Sequence, residues 1–280
     1  MSEIDIAHLQ TWVGRERTVE DPMSPFPARA LAAALDYAAS PGRGDELPPA
    51  WQWLYFHDTP SASETGSDGH PKRGGFLPPV PLPRRMWAAG EFETERPMRL
   101  GRSAQRRSRI VAVDLKQGKS GALVFVTLEH EYSQDGSLRL RERQNLVYRD
   151  VADGPSPLPA GEPEPEARFR REIQVDPVML FRYSALTYNG HRIHYDRDYA
   201  REEEFYPALV VHGPLLATLL LELVRGISPG SRVRRFGFRA ARPSFDTQPI
   251  GVGGRLDGGD ATLWSAQDGA LCMTATATLA

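Results

Sequence analysis

The chain has 280 residues, enough to bury one large core or two moderate ones, and its 40% hydrophobic and 25% charged content is ordinary for a globular protein. Its 34 basic residues against 36 acidic ones leave a net charge of −2, which gives no general attraction to nucleic acid or to an anionic membrane. The single cysteine, Cys272, excludes an internal disulfide and reads as a buried strand residue; the acidic start MSEIDIAHLQTW suggests neither a signal peptide nor a spanning helix, so a cytoplasmic protein is expected.

The first predicted element is an alanine-rich helix at about Ala28 to Ala39. The loop His57 to Pro83 follows, long enough to suggest function or mobility. Its first part, TPSASETGSDG, has a mobile composition. Its second part is stiffened by Pro78, Pro79, Pro81 and Pro83 and ends in Arg84, Arg85 and Trp87, a basic wall suited to an anionic substrate or a polyproline strap with solvated arginines. Strands are predicted at Met86–Glu95, Ser108–Leu115, Ala122–Tyr132 and Leu138–Tyr148, with turns such as Gln134-Asp135-Gly136 between them. The segment Val151 to Ala167 contains five prolines alternating with acids and reads as an exposed linker. Residues 1–150 and 168–280 are therefore expected to be two domains joined by 151–167.

The second unit opens on FRYSALTYNGHRIHYD, Phe181 to Asp196, followed by YPALVVHGPLLATLLLELV. Asn189-Gly190 predicts a tight turn, and Asp196 caps a short helix running through Tyr199 to Glu204. Leu215, Leu216, Leu219, Leu220 and Val224 recur at helical spacing, with Pro214 suited to the first turn. Gly213 lies at the mouth of that helix, where a substrate can approach the backbone and the aligned peptide dipoles favour a developing oxyanion. Strands follow at Val233–Ala240, Ile250–Leu256, Ala261–Ala266 and Leu271–Leu279. GVGGRLDGGD, with no helix after it, is a hairpin and not a dinucleotide loop. The arginines and aromatics of Arg232 to Phe245 raise RNA binding, against the simpler reading of a strand with one charged edge.

Asn189 and His194, five residues apart, and the His212-Gly213 turn resemble the active-site segment of the MaoC-like, or type 2, enoyl-CoA hydratases. That family has an Asp, then Asn-Pro, then a His five residues after the Asp. Here Asn189 fills the Asp position and Arg192 stands where the family usually has Pro. SALTYNGHRIHYD and GHPKRGGFLPPVPLPRRMWAAG, Gly69 to Gly90, are similar to a subgroup of hydroxyacyl-thioester dehydratases type 2 and mesaconyl-C4-CoA or itaconyl-CoA hydratases, over nearly the whole chain. Each half presents a helix followed by antiparallel strands. A sheet wrapped around one helix, twice in tandem, is the double hot-dog fold of the α+β class that the resemblance also implies.

The resemblance implies a hydro-lyase acting on an acyl-CoA, as a homodimer, with no cofactor beyond the coenzyme A of the substrate and no nucleic-acid or membrane partner. His194 suits the acid/base role because imidazole titrates near neutrality. Asn189 can orient water but cannot take a proton, and the Gly213 N–H suits the oxyanion. His194 alone, a neighbour such as His191 or Asp196, or a protein that keeps only acyl-thioester binding are the three ways to accommodate Asn189. Arg84, Arg85, Trp87, Arg182, Tyr188, His191, Arg192 and His212 are the expected substrate and CoA contacts; Arg84, Arg85, Arg182 and Arg192 could pair a second carboxylate of a branched dicarboxylic acyl group. A zinc set of His191, His194, His212 and Asp196 fits by ligand type but matches no metal spacing, so no metal is expected.

Overall fold

The computed structural model describes residues 4–118, 121–151, 154, 155, 158 and 160–280; Lys119 and part of the proline-rich segment lie outside them. Ten strands form one antiparallel sheet: β1 (Glu16–Asp21), β2 (Arg84–Thr94), β3 (Ala104–Gly118), β4 (Gly121–Gln134), β5 (Ser137–Arg149), β6 (Phe169–Ile173), β7 (Val233–Ala240), β8 (Ile250–Asp257), β9 (Asp260–Gln267) and β10 (Ala270–Leu279). Their spatial order is β1-β3-β4-β5-β2-β7-β10-β9-β8-β6. The first five come from the amino-terminal half and the last five from the carboxy-terminal half. They meet where β2 pairs with β7, Ala89 opposite Arg239 through Glu93 opposite Arg235, so the two expected sheets are hydrogen-bonded into one.

The carboxy-terminal half follows the expected plan. Helix α5 (Gly213–Ile227) buries Leu215, Leu216, Leu219, Leu220 and Val224 and packs on β8, β9 and β10. A fully buried leucine contributes about 1.5–3 kcal/mol relative to exposure, so this stripe is what pins the helix and its amino terminus against the sheet.

In the amino-terminal half, α2 spans only Pro25–Ala34, after the short α1 (Ile6–Gln10). It starts earlier than expected because Ser24 caps it and Pro25 and Pro27 suit its first turn. It stops at Leu35 because Asp36 is left-handed, with φ of 55°. It rests on α3 (Pro177–Leu186) and on the 3-10 turn Trp51–Leu54.

Hydrogen bonds tie down parts of both irregular segments, and the described residues of the proline-rich one are exposed or half-buried, as expected of a linker. The loop's first part is folded: Ser61 and Glu64 form a capping box around the turn Ala62–Glu64, and Thr65 bridges Pro71. The end of the proline-rich segment is pinned to the β9–β10 hairpin, with Glu164 N donating to Gly269 O and Leu271 N to Glu162 O.

Candidate active site

The seam between the halves opens into one cleft of about 2020 Å³. From the carboxy-terminal half it receives Tyr188, Asn189, His191, His194 and Gly213; from the amino-terminal half it receives His57, His70, Arg84, Arg85 and Trp87.

His194 sits at the end of the 3-10 turn Arg192–His194, and its Nδ1–H donates to the Val210 carbonyl at 2.7 Å. That bond fixes the tautomer and leaves Nε2 as the lone-pair nitrogen. The ring stacks on His212, with centroids 3.7 Å apart, and meets His191 edge-on at 5.4 Å. Burial pushes the His194 pKa down to about 4, so the imidazole is neutral at physiological pH and able to accept a proton.

Asn189 lines the cleft, but its Oδ1 accepts from His191 N at 3.0 Å, which shapes the turn. The left-handed residue is Tyr188, with φ of 49°, immediately ahead of the Asn189-Gly190 pair expected to form the turn. Gly190 is required for a different reason: Gly69 of the long loop lies against it. A Cβ on Gly69 would stand 1.7 Å from the Gly190 carbonyl oxygen, and one on Gly190 would stand 2.5 Å from that of Gly69. Arg192 N donates to Asp68 O at 3.0 Å beside this contact, and Arg192 Nη1 to Ser67 O at 3.1 Å. The long loop is thereby clasped to the histidine segment.

The clasp delivers a group that motif reading missed. His70 Nδ1–H donates to Asp68 Oδ2 at 3.0 Å, and its ring lies 4.1 Å from that of His191. Burial and the nearby Arg85 push the His70 pKa down to about 4 against the pull of Asp68. Burial opposes the ionised form of Asp68, yet the hydrogen bonds from His70 hold it below the usual carboxylate range. Four rings, His70, His191, His194 and His212, thus run in a column through the seam. The signal was the GHP at Gly69 to Pro71, whose histidine has its neighbours on a distant segment.

Gly213 N–H has no backbone partner among the described residues and opens the first turn of α5 on the cleft. A Cβ there would meet Met273 Cε and Trp87 O at 3.9 Å, an ordinary contact, so glycine is not forced by packing and its absent side chain leaves the N–H approachable.

The remaining expected contacts divide. Arg85, Trp87, Tyr188 and His191 line the cleft. Arg84 lines it too, but is buried in an ion pair with Glu204, Nε to Oε2 at 2.6 Å, and also donates to the Glu204 carbonyl. Arg192 pairs with Asp196 at 2.7 Å and lies over Tyr199; neither it nor the exposed Arg182 is among the lining residues. His212 is sealed behind His194, 2.8 Å from the Ser184 hydroxyl. The zinc set of His191, His194, His212 and Asp196 is not assembled, because Asp196 caps α4 (Arg197–Glu202) and holds Arg192. Asp68, His70 and His191 do bring one ligand atom each within 4.8 Å of one another, and these three are the residues able to hold a divalent cation here.

Comparisons with known proteins give the chain a family and a fold. The family model of hydroxyacyl-thioester dehydratase type 2 matches residues 50–246, more than half of the chain. The chain belongs to that family. It is accordingly a hydro-lyase. A mesaconyl-C(4)-CoA hydratase of Chloroflexus aurantiacus is 43% identical over 276 residues, covering 98% of each chain. Among solved structures, HtdX of Mycobacterium tuberculosis aligns with a TM-score of 0.66 at 20% identity, covering 94% of this chain and 99% of that one. A second protein of Mycobacterium tuberculosis, described as a double hotdog fold, aligns with a TM-score of 0.59 at 12% identity, covering 96% of each. The fold of this chain is thus a double hot dog, with the candidate site at the seam of its two halves.

Proposed function

We propose that the protein reversibly hydrates a short enoyl-CoA with a branched dicarboxylic acyl group of the mesaconyl-C4 or itaconyl type. The observation that carries the reading is the neutral, tautomer-locked His194 lining the same cleft as the unpaired N–H of Gly213. The relative at 43% identity supports the acyl group.

In the hydration direction His194 Nε2 takes a proton from water as its oxygen bonds to the β-carbon. The alkene electron pair moves through the α-carbon onto the thioester oxygen, which accepts from Gly213 N–H. Collapse of that enolate returns a proton to the α-carbon and restores the carbonyl. Asn189 cannot supply this proton; the His194 imidazolium that took one from water can, and the Asp68-held His70 places a second imidazole beside the site. The coenzyme A portion belongs to the substrate, and no further cofactor is invoked. We propose a homodimer as well, checked by light scattering of the purified chain.

The deciding assay is loss of conjugated-thioester absorbance across a panel of acyl groups. Preference for the branched dicarboxylic thioester supports the reading. Preference for long unbranched chains makes it a 3-hydroxyacyl-thioester dehydratase of longer substrates, and CoA-thioester binding without turnover makes it a binding protein.

A further inference from the structure

The inner face of the amino-terminal sheet carries a polar row where a sheet facing a core calls for apolar side chains. Arg17 on β1 pairs in register with Ser108 on β3, Ser108 with His130 on β4, and His130 with Glu142 on β5. Cross-strand partners share a face, so these four project together, and Arg106 and Tyr132, two residues along their strands, project with them.

The carboxylates of this region are already engaged. Glu142 accepts from the Tyr132 hydroxyl at 2.7 Å, Trp53 Nε1 at 2.8 Å and Gln144 Nε2 at 2.6 Å. Asp21 accepts from Met23 N and Phe56 N, and Asp58 pairs with Arg17 Nη2 at 2.8 Å. The nitrogens are in the opposite position. Arg17 Nε, Arg106 Nε and His130 Nε2 are buried without a partner, and Arg106 has no ion pair among the described residues. His130 is only 5% exposed, and its Nδ1 lies 2.7 Å from the Ser108 hydroxyl; with that hydroxyl donating, Nε2–H is left with only the neutral Gln144 side chain beside it. All three residues line the cleft. Buried donors left unmade are costly, so convergent ones mark a place where an acceptor belongs.

We propose that Arg106 and His130, with Arg17 at the side, bind the free carboxylate of the acyl group, an inference that rests on the hydratase reading above. The row shares the cleft with the histidine segment: His57, which feels the charge of Arg106, stacks 6.2 Å from the ring of Tyr188, the neighbour of Asn189. The four arginines expected from sequence to hold this carboxylate do not include Arg106, and two of them, Arg84 and Arg192, are held by Glu204 and Asp196. A long alkyl chain would bring only methylenes to these donors, so the same pole disfavours the competing substrate class.

The test compares kcat/KM for the C4-linked mesaconyl thioester with that for its analogue bearing a methyl in place of the free carboxylate. Wild-type protein should prefer the dicarboxylic thioester. In Arg106→Gln the ratio of the two should fall by about 10- to 100-fold, the range expected for a hydrogen bond to a charged group. Arg106→Lys keeps the charge without the planar fork and should fall part of the way; it also serves if Arg106→Gln does not fold. An unchanged ratio in both variants, or wild-type preference for the methyl analogue, overturns the pole while leaving the hydratase reading intact. If wild type turns over neither thioester the hydratase reading fails, and the pole is then judged by thermal shift with free mesaconate: an upshift lost in Arg106→Gln upholds it, and no upshift overturns it.

Discussion

His194 has one nitrogen committed to Val210 and one left for the cleft, so His194→Ala removes the proposed proton carrier without opening the fold's hydrogen-bonded frame. Turnover should drop by roughly two to four orders of magnitude, the range for losing a general acid–base group, with circular dichroism unchanged. Asn189→Ala should be milder, since no proton carrier is lost; because Oδ1 also shapes the turn, Asn189→Asp, which keeps that acceptor, should retain more activity than Asn189→Ala in the same assay. If His194→Ala keeps near-normal turnover while His191→Ala abolishes it, the acid–base role belongs to His191. Arg84 makes a different prediction from a binding arginine. Its removal strands Glu204 in a buried site where burial already raises the carboxyl pKa above its ordinary value. Arg84→Ala should therefore lower unfolding free energy by about 3–5 kcal/mol in urea titration; loss of CoA affinity at unchanged stability would return it to the ligand.

At the scale of elements, the decisive device is the glycine clasp between the long loop and the histidine turn. Gly69→Ala combines a left-handed backbone, φ of 86°, with a collision against Gly190 O. Gly136→Ala has a comparable φ of 70° and nothing within 4 Å, so it isolates the backbone cost, about 1–2 kcal/mol. Gly69→Ala should lose more stability than Gly136→Ala and should alone depress kcat/KM, because it displaces Asp68 and His70. Equal losses in the two variants would mean that the clasp has no bearing on the site. Much of this scale was legible in the sequence: β2 to β5, β7 to β10, the Asp196 cap and α5 stand within a few residues of their expected places. What escaped did so for physical reasons. β1 and β6 are short edge strands rich in charge, and α3 leaves Val178 and Phe181 exposed, so neither shows the one-sided pattern that marks an element. That His194 and Gly213 share one cleft was legible because their motif is local, whereas His70, Arg106 and His130 reach it only through partners on other strands and loops.

Across the whole molecule, several imidazoles are buried in the neutral form. The pKa of His70 and His194 is pushed down to about 4 and that of His130 to about 3, each chiefly by burial, while unfolded histidine titrates near 6.5. Between those values the unfolded chain binds more protons than the folded one, so stability falls as pH drops below about 6.5 and continues to fall toward 4. Thermal melting from pH 7.5 to 5 should show a falling Tm, and His130→Gln should flatten the fall by removing one of the contributors. A Tm independent of pH over that range would mean that these rings are solvated or paired in a way that supports their charged forms.

The hydrogen-bonded seam between β2 and β7 has a consequence for how such a chain can change. Two identical subunits must repeat every innovation on both sides, so a residue good for proton transfer in one copy also appears where the far end of the substrate lies in the other. With the halves joined in one chain and one sheet, each position is free to mutate alone. Here α5 and the histidine turn belong to one half, and the row from Arg17 to His130 to the other. On the proposed roles, substrate preference can therefore drift by substitutions on β1, β3 and β4 while the half that carries His194 and Gly213 stays as it is, a division of labour that a symmetric assembly cannot reach.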